Sequence, residues 1–168
     1  MQDKTDVSSP YWSYFFRAVP SWQQQALAQL SKTRLFADIP KRSLRHLVCE
    51  MYYRNYQQNE AVFATGDPGL GMYLVLTGKV EIYIGDKIFA ELERGEFFGE
   101  VALLGDETRT ASARVVGETE LVGFFRPTLE EWLQRSPKQG ARFLFNLGRL
   151  VAERLRRSNE MCATPSDL

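Results

Sequence analysis

The segment 97–115 contains a glycine, a glutamate and an arginine at spacings that suit anion binding. Arg109, Ala111 and Ala113 alternate with polar residues, so a strand with its period of two places all three on one inward face. An inward charge is costly unless an opposite charge neutralises it, and the planar guanidinium fork suits a phosphate or a carboxylate. The pattern therefore predicts an anion beside Arg109.

Just upstream, the run GEVAL, residues 99–103, predicts a single helical turn that begins after a glycine. The open N–H groups at such a start bind anions, and glycine lets a ligand approach the backbone closely. Glu100 lies nine positions before Arg109, and the loop between them allows both side chains to line one cavity. A carboxylate there can accept a proton from a sugar hydroxyl. A simpler alternative stays open, in which Glu100 or Asp106 neutralises Arg109 as an internal salt bridge.

The elements around this segment are predicted from periodicity. Two amphipathic helices open the fold, and the apolar period then changes from 3.6 to 2. Short apolar runs separated by glycine-containing turns are typical of an antiparallel sandwich or barrel. We therefore predict an α+β, mainly β fold: an antiparallel β-roll (double-stranded β-helix, jelly-roll-like) with N-terminal helices and a C-terminal helix pair. The predicted strands are 61–64, 72–76, 80–84, 88–92, 111–116 and 121–125.

One main domain is expected, at 21–160, with helices at about 21–51 and 127–159 and the roll at about 52–126. Residues 1–20 form an aromatic extension, whose run YWSYFF is expected to pack on the body rather than anchor in a membrane. Residues 161–168 form a polar tail.

Composition excludes several classes of function. The 21 basic and 21 acidic residues give a net charge of +0, so no global field attracts nucleic acid or an anionic membrane. The basic cluster Arg154, Arg156 and Arg157 is expected to be a solvated helix face, because a helix-turn-helix needs two more helices. The polar, acidic stretch MQDKTDVSSP does not indicate export, and no apolar run in the sequence is long enough to span a bilayer.

The cysteines and the histidine do not form a reactive group. Cys49 and Cys162 lie far apart, which indicates reduced thiols and a cytoplasmic location, and Cys49 is expected to be a small core filler or an inert thiol. The single histidine, His46, cannot build a metal site. Cupin enzymes share a β-roll but usually need several histidines, so we expect neither a metal nor an enzyme.

At this point a family resemblance is specific. The stretch FGEVALLGDETRTAS, residues 98–112, is similar to the phosphate-binding cassette of the cyclic nucleotide-binding domain family, and GDPGLGMYLVLTGKVEIY resembles the family's glycine-spaced strand pair. With the flanking helices the likeness covers about residues 28–157. The chain departs from the family at Gly71, where an acidic residue is common; this position is expected to support the fold more than the ligand.

The resemblance implies roles for individual residues of this chain. Glu100 would hold the ribose 2′-hydroxyl and Arg109 the cyclic phosphate, with a backbone cradle from Thr110 and Ala111. Gly99 and Ala102 would give backbone contacts and Val101 would wall the pocket. The last helix would close over the base, so the further candidates for wall or lid are Val80, Ile82, Ser112, Leu155 and Arg156.

The implied function is that of a stand-alone, bacterial-type sensor without a helix-turn-helix. Its ligand would be cyclic AMP or cyclic GMP. The run RTAS resembles channel domains that prefer cyclic AMP, whereas a hydroxyl such as that of Thr110 can bond guanine in relatives; cyclic AMP is favoured. Ligand binding would move the C-terminal helix, read by a homodimer through that helix or by a protein partner, without DNA or a membrane. A ligand-free scaffold of the same fold and a cupin-type enzyme remain as alternatives.

Overall fold

A computed structural model describes residues 21–105 and 108–163 of the chain. The aromatic extension 1–20, the end of the tail and Asp106 with Glu107 lie outside the described residues. The helices are α1 Ser21–Leu30, a 3₁₀ helix Arg34–Phe36, α2 Lys41–Cys49, a 3₁₀ turn Glu100–Leu103, α3 Arg126–Arg135 and α4 Pro137–Ala163. The strands are β1 Tyr52–Tyr56, β2 Ala61–Phe63, β3 Gly71–Ile84, β4 Lys87–Leu92, β5 Phe97–Phe98 and β6 Ser112–Phe125.

The strands form one six-stranded antiparallel sheet in the order β1-β6-β3-β4, with β2 also on β6 and β5 on β3. Together with the helices before and after it, this confirms the α+β, mainly β fold class with its antiparallel roll. None of the helices in 21–105 and 108–163 is long and apolar enough to cross a membrane.

The strands β3 and β6 were each predicted as two short strands, and each is continuous over 14 residues. The glycine that suggested a break in β3 instead lies where the pairing register with β6 shifts, around Thr77. Gly78 has φ +83°, and a Cβ there would lie 2.3 Å from Thr119 Oγ1. Glycine therefore allows the two longest strands to bend together without ending either one.

The strand β1 was not predicted, because its sequence YYRNY has no apolar alternation and four of its five residues are not buried. It is held by pairing with β6, from Tyr52 opposite Gly123 to Tyr56 opposite Thr119. Pairing with a buried neighbour strand thus fixes an element that its own composition does not indicate.

Two apolar clusters hold the fold together. The larger lies between the sheet and the helices, and the smaller lies inside the roll and includes Val80, Phe98 and Val115. Each fully buried large apolar side chain contributes about 1.5–3 kcal/mol relative to exposure. Apolar alternation in 80–84 predicts that Val80, Ile82 and Ile84 face the core. Val80 is fully buried and Ile82 is partly buried, but Ile84 is 46% exposed, so this prediction was wrong for Ile84.

The helix α4 is packed at its beginning and uncovered further along. Phe143 and Leu147 are fully buried, Leu150 and Val151 pack partly on the core, and Leu155 is 61% exposed. The helix continues to Ala163, past the expected end near residue 159. The apolar stripe of α4 therefore anchors only the first half of the helix to the core.

Cys49 is exposed at the end of α2, so its interpretation as a core filler was wrong. The buried residues Leu44, Leu47 and Val48 define the core side of this helix. At about 100° per residue, position 49 turns away from that side. His46 is also exposed.

Candidate functional site

Arg109 is the central cation of the site, with only 7% of its surface exposed. Its Nη2 donates to the Gly71 carbonyl at 2.7 Å and its Nη1 to the Gly99 carbonyl at 3.1 Å. The guanidinium carbon lies 4.1 Å from the centre of the Phe63 ring, in cation–π geometry. The Nε atom is buried without a hydrogen-bond partner in the described structure.

Within residues 21–105 and 108–163, no carboxylate forms an ion pair with this guanidinium. Burial lowers the pKa of Arg109 from its ordinary value, and the electrostatic interactions with Tyr73, Glu100 and Asp67 only partly oppose that effect. The alternative in which Glu100 neutralises Arg109 is therefore wrong for this structure; Asp106, the other candidate, lies outside the described residues. Among the described residues, the hydrogen-bond partners of the buried Arg109 guanidinium are backbone carbonyls.

The backbone of Arg109 is held by the turn before β3. Its N–H donates to the Asp67 carbonyl at 2.8 Å, and its carbonyl accepts from the Gly66 N–H at 2.8 Å. The Asp67 carboxylate accepts in turn from the Ala64 N–H at 2.7 Å. Arg109 points inward as predicted. It lies before the first residue of β6, however, so its backbone hydrogen bonds with Gly66 and Asp67 orient it and not strand alternation.

The predicted helical turn after Gly99 is confirmed as the 3₁₀ turn Glu100–Leu103. Gly99 has φ +74°, and a Cβ there would lie 2.5 Å from Arg109 Nη1. Glycine is thus required twice, by the left-handed backbone and by the close approach of the guanidinium. The first N–H groups of the turn have no partner within the turn itself.

Glu100 is 4% exposed and pairs with the last helix instead of with Arg109. Arg154 Nη1 of α4 donates to its Oε1 at 2.6 Å, and Arg154 Nη2 donates to the Phe97 carbonyl at 3.2 Å. Arg154 is 46% exposed, and Arg156 and Arg157 are exposed as expected for a solvated face, but that expectation did not include the pairing of Arg154 with Glu100. The spacing of Arg154 was a usable signal, since it lies seven positions after the buried Leu147, on the same side of the helix.

A cavity of about 440 Å³ connects these charged groups. It includes every residue of the predicted binding set, and the half-buried Ile82 also contributes. Its lining is Phe63, Ile82, Ala90, Leu92, Phe98, Gly99, Glu100, Val101, Ala102, Thr108, Arg109, Thr110, Ala111 and Arg154.

Four of the weaker candidates lie away from this lining. Val80 is fully buried inside the roll, and the Ser112 hydroxyl accepts from the Thr65 N–H at 2.9 Å. Leu155 and Arg156 are exposed on α4, where Arg154 takes the lid position expected for them. Because of the helix phase, Arg154 continues the buried stripe of α4, whereas its neighbours Leu155 and Arg156 do not. Arg154 is therefore the residue of this helix that reaches the cavity.

No role in the site was predicted for Gly71, although its carbonyl accepts a hydrogen bond from Arg109. A Cβ at Gly71 would lie 2.3 Å from the Phe124 carbonyl oxygen, so the neighbouring strand leaves no space for a side chain. At this position, where the family commonly has an acidic residue, glycine thus allows β3 and β6 to approach closely. The Gly71 carbonyl in this strand binds Arg109.

The arrangement offers three kinds of contact to one ligand. Arg109 presents a buried cation, and the N–H groups of Thr110 and Ala111 donate to no backbone carbonyl within the described part of the chain. Glu100 presents a carboxylate, and Ile82, Ala90 and Leu92 form an apolar wall. A cavity of this size accommodates a small molecule that carries an anion, a hydroxyl and a flat apolar part. Among residues 21–105 and 108–163, no cluster of three His, Cys, Asp or Glu side chains could hold a metal ion.

Comparison with known proteins identifies the family to which this fold and this site belong. The family model of the cyclic nucleotide-binding domain matches residues 53–136, half of the 168 residues, and the chain therefore belongs to that family.

The Cyclic AMP receptor protein of Thermus thermophilus is 38% identical over 111 residues, which are 63% of this chain and 50% of that protein. The human cGMP-dependent protein kinase 2 is 27% identical over 107 residues, or 64% of this chain and 14% of the kinase. A solved cyclic nucleotide-binding domain from Methylobacillus flagellatus has a TM-score of 0.74 and 26% identity, covering 88% of this chain and 86% of that one. This chain thus spans half of the receptor protein and a small part of the kinase.

Proposed function

We propose that this protein is a cyclic nucleotide sensor that binds cyclic AMP in preference to cyclic GMP. One observation carries the proposal: Arg109 is 7% exposed, forms no ion pair with a described carboxylate and leaves its buried Nε without a partner. A buried cation in this state is stabilised by an anionic ligand. In this proposal the cyclic phosphate supplies the negative charge that no described carboxylate brings into an ion pair with Arg109.

In the proposed complex the phosphate lies between Arg109 and the N–H groups of Thr110 and Ala111. The ribose 2′-hydroxyl donates to Glu100, and the base lies against Ile82 and the β4 side of the cavity. The seven binding residues predicted from the sequence keep their roles in this proposal. The likeness to a cyclic AMP receptor protein supports the choice of nucleotide, and the likeness to a cGMP-dependent kinase makes cyclic GMP the ligand to compare.

The Glu100–Arg154 contact supports a coupling of binding to α4. A ribose hydroxyl that bonds Glu100 either shares the carboxylate with Arg154 or displaces it. In both cases the binding free energy changes with the position of α4, which is the requirement for a switch. A second copy of the chain or a protein partner would read this movement along the exposed half of the helix, where Leu155 is 61% exposed. We propose that the protein neither catalyses a reaction nor contacts DNA.

Calorimetry and thermal melting with cyclic AMP, cyclic GMP and the non-cyclic 5′-AMP test the proposal. A ligand at 100 times its dissociation constant should stabilise the fold by about 2.7 kcal/mol. When the three ligands are compared at one concentration, we expect the largest stabilisation with cyclic AMP and the smallest with 5′-AMP. The phosphate of 5′-AMP carries more charge and is not part of a ring. Absence of heat and of a melting shift with both cyclic nucleotides would favour the ligand-free scaffold instead.

A further inference from the structure

A second arginine, Arg126, binds the C-terminal end of the 3₁₀ turn and does not line the cavity. It is the first residue of α3, and its guanidinium donates to three carbonyls. Nη2 donates to Ala102 at 2.8 Å, to Gly69 at 3.3 Å and to Gly105, and Nε donates to Ala102 at 3.3 Å. The Arg126 N–H also donates to the Leu70 carbonyl at 3.0 Å. One residue therefore holds the chain before β3 and the end of the turn together.

The carbonyls of Ala102 and Gly105 lie at the C-terminal end of the turn, where carbonyl groups lack partners within the helix. A cation at that end satisfies them and interacts favourably with the dipole of the turn. The fork of the guanidinium reaches several acceptors at once, which an ammonium group does in a different geometry.

Arg109 and Arg126 hold the same two segments from opposite ends. Arg109 binds the carbonyls of Gly71 and Gly99, and Arg126 binds those of Gly69 and the far end of the turn. The two arginines therefore fix the orientation of the turn relative to β3. Glu100 and the open N–H groups are carried by that turn.

We propose that Arg126 is a positioning residue for the nucleotide site, acting through the orientation of the 3₁₀ turn, and that it connects the turn to α3. This inference rests on the proposed function. Because α3 packs on α4, with the Trp132 and Phe143 rings 5.8 Å apart, a shift of the turn reaches the last helix through Arg126 as well as through Arg154.

Two substitutions and one matched control test this role. Arg126→Gln removes the charge and the fork, and Arg126→Lys keeps the charge alone. The control Arg135→Gln removes another arginine of α3, which pairs with Glu50 away from the cavity. Cyclic AMP affinity is measured by calorimetry, and amide hydrogen exchange of residues 97–105 is measured without nucleotide.

We expect cyclic AMP to bind Arg126→Gln about tenfold or more weakly, which is the loss of one charged hydrogen-bonding group. Arg126→Lys should lie between that variant and the wild type, and the control should bind within about twofold of the wild type. In Arg126→Gln, exchange should accelerate in 97–105 while the core of β3 and β6 keeps its protection.

The outcomes separate this inference from the proposed function. If the wild type binds no cyclic nucleotide, the proposed function fails, and exchange in 97–105 alone then decides the role of Arg126. If the wild type binds and both Arg126 variants bind equally well with unchanged exchange, the inference is overturned while the function stands. Loss of protection along the whole chain in both variants would show a role in folding only and would also overturn it.

Discussion

The two charged ends of the cavity are built differently. At one end Arg109 is buried and bonded only to backbone carbonyls among the described residues; at the other, Glu100 is buried but paired with Arg154, whose side chain is 46% exposed. The first end is made by the sheet and the 3₁₀ turn, whereas the second requires α4. The cation thus has no anionic partner among the described residues, whereas the carboxylate has a partner that a ligand must join or replace.

This difference assigns separate tasks to the two ends. If the proposed function holds, we expect the Arg109 end to supply most of the affinity, because a buried cation gains much from a phosphate. We expect the Glu100 end, which depends on α4, to supply less affinity, because a partly exposed ion pair contributes little in itself. It is nevertheless the end at which binding can change the position of a helix. The predictions below run from the largest expected effect to the smallest.

Arg109→Ala should weaken cyclic AMP binding by about 2–5 kcal/mol, the range for removing one member of a buried charge pair. Calorimetry measures the change. Arg109→Lys, which keeps the charge without the fork, should recover part of it. Arg114→Gln is a matched control, since Arg114 pairs with Glu81 and does not line the cavity. Unchanged affinity in Arg109→Ala would show that the Arg109 end of the cavity is not the anion site.

Gly99→Ala should lower the affinity by about tenfold or more, because a Cβ would lie 2.5 Å from Arg109 Nη1 and the residue has φ +74°. Gly95→Ala separates the two causes: Gly95 has φ +89°, but a Cβ there meets nothing within 4 Å. Both variants should lose about 1–2 kcal/mol of folding stability through the backbone conformation. Equal affinities for the two variants would contradict a steric effect on Arg109.

Glu100→Gln should weaken binding of cyclic AMP by about 1.5–3 kcal/mol through loss of a charged acceptor. The same substitution should change the affinity for 2′-deoxy cyclic AMP much less, since that ligand lacks the hydroxyl that Glu100 is proposed to bind. Titration of both ligands into both proteins forms a cycle. Equal losses for the two ligands would place the ribose elsewhere.

Arg154→Gln should have the smallest effect and the opposite sign. Its ion pair with Glu100 is worth about 0–1 kcal/mol, so removing the competitor should tighten cyclic AMP binding by up to about fivefold. Hydrogen exchange in α4 should also respond less to the nucleotide, because only the connection through Arg126 and α3 then remains. Clearly weaker binding would mean that Arg154 contacts the ligand instead of competing with it.

The cassette could be predicted from the sequence because its parts are local. The glycine and the turn after it depend on a few neighbouring residues, and the structure contains both. Arg109 also points inward as predicted, but its hydrogen bonds with Gly66 and Asp67 orient it and not a local pattern. The fold class followed from periodicity and turn residues. By contrast, the continuous strands β3 and β6 were divided at glycines that in fact allow the strands to bend, and β1 has no apolar alternation that could indicate it.

The partners of the charged residues could not be predicted, because they are distant in sequence. Gly71 lies 38 positions from Arg109, and Arg154 lies 54 positions from Glu100. Only folding of the sheet and docking of α4 bring these pairs together. Helix phase did contain a signal for Arg154, whereas nothing local indicated that the Gly71 carbonyl or Arg126 would hold the turn.

Titration of the wild-type protein with cyclic AMP and with adenosine, which lacks the phosphate, tests most directly whether the buried Arg109 holds a cyclic phosphate. The account predicts saturable binding of one cyclic AMP per chain and at least about thirtyfold weaker binding of adenosine, which corresponds to the lower limit of about 2 kcal/mol expected for the charge pair. Adenosine binding as tight as that of cyclic AMP would contradict the account, since the phosphate would then contribute nothing at Arg109.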